Sequence, residues 1–157
     1  MGFVVDERLR EKEFGVLDRL TSYGIAERHP EQAEFRRLLG KFYHRPPGGE
    51  SWCDVILRLR GVIDTITRDY RRERVLMTCH TVVVLCLRYL LEQMTEAQIL
   101  EIDRAHNVAN CSITHYQYDP QLGKHGAMAL RFFNVVAPLV QAGAEVTAQP
   151  DEQVGPR

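Results

Sequence analysis

His80 stands between two apolar runs, Val75-Leu76-Met77-Thr78-Cys79 before it and Val82 to Leu91 after it. The first run has the pattern of a strand buried on both faces. The second is long enough for a helix of about three turns; its leucines favour one, although its valines do not. A histidine between a buried strand and a helix points into the crevice beyond the carboxyl end of a sheet, where open α/β folds bind ligands. The helix N-terminus there offers unpaired N–H groups and a partial positive charge, which suits phosphate. The same position also suits a histidine that only satisfies the helix start or a neighbouring carbonyl, so His80 alone leaves both roles open.

Two further stretches are ambiguous in the same way. Arg8-Leu9-Arg10-Glu11-Lys12-Glu13-Phe14-Gly15 is a charge run, and charge runs are usually solvated loops. Pro46-Pro47-Gly48-Gly49-Glu50-Ser51 reads as a turn feeding a helix cap. The order of the motifs adds more than each does separately. L-R-E-K-E-F-G, then P-P-G-G-E-S opening a helix, then an apolar run ending in His, then Asn110-Cys111-Ser112-Ile113-Thr114, occur in one sequence. This order resembles the histidine phosphatase superfamily, in its phosphoglycerate-mutase-like branch, and the resemblance runs from about Asp6 to Phe133.

The resemblance implies phosphoryl transfer through a phosphohistidine, with a glutamate protonating the leaving oxygen and a second histidine binding phosphoryl oxygens. Glu11 matches the general acid and His80 the phosphate-pocket histidine. Arg8, Glu50, Ser51 and Thr81 fall, by the same correspondence, around the substrate. This division of labour is physically sound. Phosphoryl transfer needs positioned donors around the equatorial oxygens and an acid whose pKa is raised toward neutrality.

The sequence departs from the family pattern in two ways. No Arg-His-Gly occurs in it, although that motif carries the family's nucleophile. His29 precedes a proline and His44 precedes Arg45, neither at the end of a buried run, so neither replaces it. In addition, Thr81 follows His80 where much of the family has Gly, which narrows the approach to the pocket. The resemblance therefore implies that the family's first strand, its following helix and their arginines are missing, as from a misplaced start codon or a truncated gene. Loss of that strand would expose sheet edges and an apolar face.

The remaining elements must position these residues. Thr21 caps a short helix, and Pro30 opens another running to about Leu39, with Gly40 as its stop. Ser51 with Asp54 resembles a capping box, and Val55, Leu59, Val62, Ile63 and Ile66 form one apolar helical face ending near Tyr70. Thr95 caps a helix from Glu96 to about Ile102. Cys111 to Tyr118 and Ala127 to Phe133 read as strands. The predicted fold is a three-layer α/β/α sandwich with a mainly parallel sheet, lacking the first strand and helix of the family fold. Residues 1–143 form this partial domain, and 144–157 form a polar, disordered tail.

Composition excludes several alternatives. The 157 residues are 45% hydrophobic and 26% charged, enough for one core. A net charge of -1 argues against broad nucleic-acid binding. Cys53, Cys79, Cys86 and Cys111 form no C-x-x-C pair, so no metal or cofactor is expected. No apolar run is long enough to span a bilayer and no signal peptide is visible, which leads to the expectation of a cytoplasmic protein. The expected function is a phosphatase acting on a phosphorylated small molecule, rather than a mutase, and inactive as written for want of the nucleophile. The alternative is a non-catalytic phosphate-binding or protein-interaction remnant, a homodimer or one completed by a partner chain.

Overall fold

The structure is a computed structural model that describes residues 2–146. The part of the expected tail at 147–157 lies outside the described residues. The order is α1 (Ser22–Arg28), α2 (Pro30–Tyr43), α3 (Trp52–Asp69), α4 (Thr81–Leu91), α5 (Glu96–Ala105), β1 (Ile113–Asp119), β2 (Ala127–Val135) and α6 (Ala137–Gln141). Short 3-10 turns at Glu7–Leu9 and Gly15–Leu17 bracket the loop that carries Glu11.

α3 is the frame. Ser51 accepts the Asp54 N–H, and the Asp54 carboxylate accepts the Ser51 N–H in return, closing the expected capping box. Trp52, Val55, Ile56, Leu59 and Val62 recur at helical spacing and are all buried. They meet Val83, Leu85, Cys86 and Leu87 of α4, together with Phe42, Ile99 and Val108, in one core. Lys41 fastens α2 across this core: its Nζ lies 2.6 Å from Asp103 of α5 and 5.6 Å from the Trp52 ring centroid. Gly40 does interrupt α2, with φ of 77°, but the chain resumes a helical turn to Tyr43.

The two predicted strands exist and pair with each other in an antiparallel hairpin, with Tyr116 opposite Leu130 and Asp119 opposite Ala127. The hairpin docks on α4 through side chains. Arg88 is buried, sits 4.2 Å from the Phe133 ring centroid, and donates to Glu92 at 2.8 and 3.1 Å. Glu92 in turn accepts the Tyr116 hydroxyl.

The expected mainly parallel sheet is a point of difference. Among the described residues the only sheet is this two-stranded antiparallel one, and the overall fold is mixed α and β. Val75–Cys79 forms no strand. Apolarity suits a run for a buried strand, but a strand also needs neighbours to take its N–H and C=O groups. No described segment pairs with this one. Met77 and Cys79 pack against the core, while Val75 is 42% and Leu76 77% exposed.

Leu59 is fully buried between α3 and α4. Leu59→Ala should cost about 2–5 kcal/mol, whereas removing the Ser51 cap with Ser51→Ala should cost about 1 kcal/mol. Urea unfolding midpoints at constant slope check both.

Candidate active site

The first two motif loops lie against each other. Phe14 and Gly49 form an isolated antiparallel bridge. Glu50 N–H donates to the Glu13 carbonyl at 2.9 Å, and Val16 N–H donates to the Pro47 carbonyl at 3.0 Å. The approach is so close that a Cβ on Gly15, where φ is +55°, would sit 2.1 Å from the Pro47 oxygen. The glycine ending L-R-E-K-E-F-G is thus required by contact as well as by conformation.

Arg58 on α3 and Glu50 lock this junction. Arg58 Nε reaches one Glu50 oxygen at 2.9 Å and its Nη2 the other at 3.1 Å, with side chains 11% and 12% exposed. Arg58 also donates from Nη1 to the Arg8 carbonyl and from Nη2 to the Glu11 carbonyl at 3.3 Å. Glu50 accepts the Glu13 N–H at 3.0 Å. Burial opposes the charge on Glu50, but the Arg58 bonds and the Glu13 amide hold its carboxyl below its ordinary pKa. Removing one partner of such a shielded pair costs about 3–5 kcal/mol. An exposed pair such as Arg37–Glu34 contributes about 0–1 kcal/mol.

The loop held in this way presents Glu11 to His80. Glu11 Oε1 accepts the Lys12 N–H at 2.7 Å, and Oε2 lies 4.0 Å from His80 Nδ1. His80 is the N-cap of α4 without a capping side-chain bond, and its side chain is 58% exposed. The first-turn amides of α4 have no intrahelical partners and face the same end. Burial raises the Glu11 pKa; the Lys12 amide, His80, Arg58 and the Lys12 ammonium partly offset it. The resulting carboxyl holds its proton closer to neutrality, as a general acid must.

The other expected site residues are placed as follows. Thr81 begins α4 beside His80. Ser51 caps α3, and Glu50 is engaged by Arg58 and Arg10. The Arg8 guanidinium is taken up by Asp6 at 2.7 and 2.9 Å, the Gly61 carbonyl at 2.7 Å and Thr65 at 3.1 Å, so it clamps the loop to α3. Reading the sequence missed two residues. Arg58 was not singled out at all; its signal was its place two helical turns after Ser51. Lys12 was one charge in a run, yet it is buried, 4.4 Å from the Phe14 ring centroid, with its pKa pushed down to about 8 by burial and then by Arg36.

A cavity of about 610 Å³ is lined by Gln32, Phe35 and Leu39 of α2 and by residues 44–49. Neither Glu11 nor His80 lines it, so the pair at the α4 terminus is not part of this cavity. Among the described residues no group of His, Cys, Asp and Glu is arranged to hold a metal ion, and no helix is long and apolar enough to cross a membrane.

With this geometry in hand, comparison with known proteins identifies the family. Residues 1–128 match the histidine phosphatase superfamily (branch 1), and the chain belongs to that superfamily. It is 38% identical over 89 residues to human 6-phosphofructo-2-kinase/fructose-2,6-bisphosphatase 3, covering 56% of this chain and 16% of that protein. It is 36% identical over 132 residues to the Mycobacterium tuberculosis bifunctional protein Rv2228c, covering 83% of this chain and 33% of that protein. The chain thus spans a third or less of these relatives. Among solved structures, its fold is similar to that of mycobacterial glucosyl-3-phosphoglycerate phosphatase with inorganic phosphate, at 24% identity and a TM-score of 0.66 over 85% of this chain and 65% of that one. It is likewise similar to Bacillus stearothermophilus YhfR, at 24% identity and a TM-score of 0.65 over 83% of this chain and 60% of that one.

The two displaced ionisations give opposite pH signatures. The Glu11 carboxyl stands above its ordinary 4.5, so its contribution to stability is complete below that value and is lost as pH rises through the raised one. Glu11→Gln should therefore melt higher than the parent at pH 8 and converge with it near pH 4. The Lys12 ammonium titrates at about 8 when folded and 10.5 otherwise, so stability is withheld below about 8 and gained as pH rises through that window. Lys12→Met should raise the melting temperature at pH 7 by at least about 2 °C, with the gain shrinking toward pH 10. Thermal melts across pH check both signs.

Proposed function

We propose that this chain supplies the proton-donating and phosphate-binding half of a histidine phosphatase site acting on phosphorylated small molecules in the cytoplasm. The observation that carries the reading is Glu11 Oε2 at 4.0 Å from His80 Nδ1, beside the N-terminus of α4. A phosphoryl group seated there would receive a hydrogen bond from His80 and the amides of the first turn of α4, where charge develops in the transition state. Glu11, its proton retained by burial, donates to the leaving oxygen and afterwards takes a proton from the attacking water. Thr81 borders the phosphate, and Glu50 and Ser51 hold the loop and helix that frame it. Arg8 contributes by anchoring that loop. No metal or cofactor enters these steps.

The sequence holds no Arg-His-Gly, so the nucleophile of the family reaction comes from another segment of polypeptide. A strand brought by that segment would lie along Val75–Cys79 and complete the mainly parallel, three-layer arrangement. The exposed Val75 and Leu76 also favour a second reading, in which the chain is a non-catalytic module paired with another copy or a partner.

Inorganic phosphate titrated into the chain should perturb the His80 ring and the amides of Thr81 to Val83 in NMR spectra. His80→Ala should weaken that binding by about tenfold, the value of one charge-assisted hydrogen bond. Absence of any response at those atoms in the parent would end the reading. On incubation with a phosphate monoester, the chain alone should form no acid-labile phosphohistidine; detecting one would show that the nucleophile is already present.

A further inference from the structure

We propose that Arg58 is the positioning residue for Glu11, holding the acid's loop by its backbone. The proposal rests on the reading of Glu11 as the proton donor, but its geometry stands on its own. Glu11 lies in a loop without regular structure between two 3-10 turns, and within it the Lys12 N–H holds the carboxyl at 2.7 Å without itself anchoring the loop to the fold. Arg58 does so from outside. It projects from the well-packed α3, where Leu59 beside it is fully buried, so its Cα is fixed by the core. Its fork then meets two carbonyls of the loop, those of Arg8 and Glu11, and both oxygens of Glu50. Glu50 returns to the loop at the Glu13 N–H. The segment from Arg8 to Glu13 is therefore pinned at three backbone points by one ion pair.

Only a planar fork with donors in fixed directions can meet two carbonyls and a bidentate carboxylate at once. Lysine would keep the charge and lose the directions. The groups facing Glu11 are His80 from α4, Arg58 from α3, Lys12 within its own loop and the neutral Cys79 thiol. Arg58 is among those that favour the carboxylate, after the Lys12 amide and His80, so the residue that holds the acid's loop also adds to its readiness to release a proton.

The test compares Arg58→Gln and Arg58→Lys with the full parent chain by amide hydrogen exchange and by carboxyl carbon NMR of Glu11. In Arg58→Gln, the amides of Lys12, Glu13 and Glu50 should exchange about tenfold faster or more, while core amides of α3 and α5 keep their protection. The Glu11 carboxyl should titrate at a higher pH than in the parent. Arg58→Lys should restore the titration and not the protection. Unchanged exchange at Lys12 and Glu13 in Arg58→Gln would overturn the proposal, and so would full recovery of that protection in Arg58→Lys. If Arg58→Gln loses its core protection as well, Arg58→Lys alone decides: faster loop exchange with an intact core supports the role, and parent-like exchange removes it. None of these readouts needs phosphate to bind, so failure of the phosphatase reading in the titration above is seen separately.

Discussion

One ion pair taken almost out of water controls the geometry of the site. Glu50 and Arg58 are each about nine-tenths shielded, and two charges in that position are stable only if nearly every polar atom finds a partner. Their partners are the backbone of the Glu11 loop. The need to satisfy the pair is thus the same thing as the order of the loop. Mutually, the loop stays close because Gly15 and Gly49 allow main chain to touch main chain where any Cβ would collide. A frame helix, a shielded pair and two bare glycines together convert the charge run Arg8–Glu13, which has no regular structure after Leu9, into a rigid support.

What that support holds is electrostatically strained. Glu11 is pushed toward its neutral form by burial and drawn toward its charged form by His80, Arg58 and Lys12. Lys12 is pushed toward neutrality by burial and by Arg36, and drawn back by Glu50 and Glu11. Neither finds a close counter-charge: the Glu11–His80 distance of 4.0 Å is beyond a hydrogen bond, and Lys12 faces an aromatic ring. Ionisable groups held on such a scaffold without a close counter-charge mark a candidate functional site. An anion between His80 and the first turn of α4 would meet the amides of that turn, and would raise further the proton affinity of a carboxyl beside it.

Much of this was legible in the sequence because it depends on local rules. The caps at Thr21, Ser51 and Thr95, the proline at the start of α2 and the apolar face of α3 are each decided within a few residues, and each formed as read. The meeting of Glu11 with His80 was legible only through the order of motifs, since no periodicity reports contact across that length of chain. Val75–Cys79 failed for a physical reason. Composition records that a segment would gain by burial, but not whether another segment arrives to bury it. Arg58 failed for the reverse reason. A polar residue on a helix is usually solvated, and nothing local distinguishes one that turns inward toward two loops.

The contrast between the two sides of α4 carries this one step further. On one side the β1–β2 hairpin is fastened by a buried arginine that stacks on Phe133 and pairs with Glu92, which in turn takes the Tyr116 hydroxyl. That side is closed: its charges are paired and its strands have each other. On the other side Val75 and Leu76 leave apolar surface open directly upstream of His80, in a segment whose N–H and C=O groups have no ladder. A candidate site pair at the edge of a segment without ladder partners can be no more rigid than that segment. His80 is held from the α4 side by the helix it begins and from the other side by a run that pairs with no strand among the described residues. Pairing along Val75–Cys79 would therefore both bury the exposed side chains and stiffen the backbone that aims His80 at Glu11.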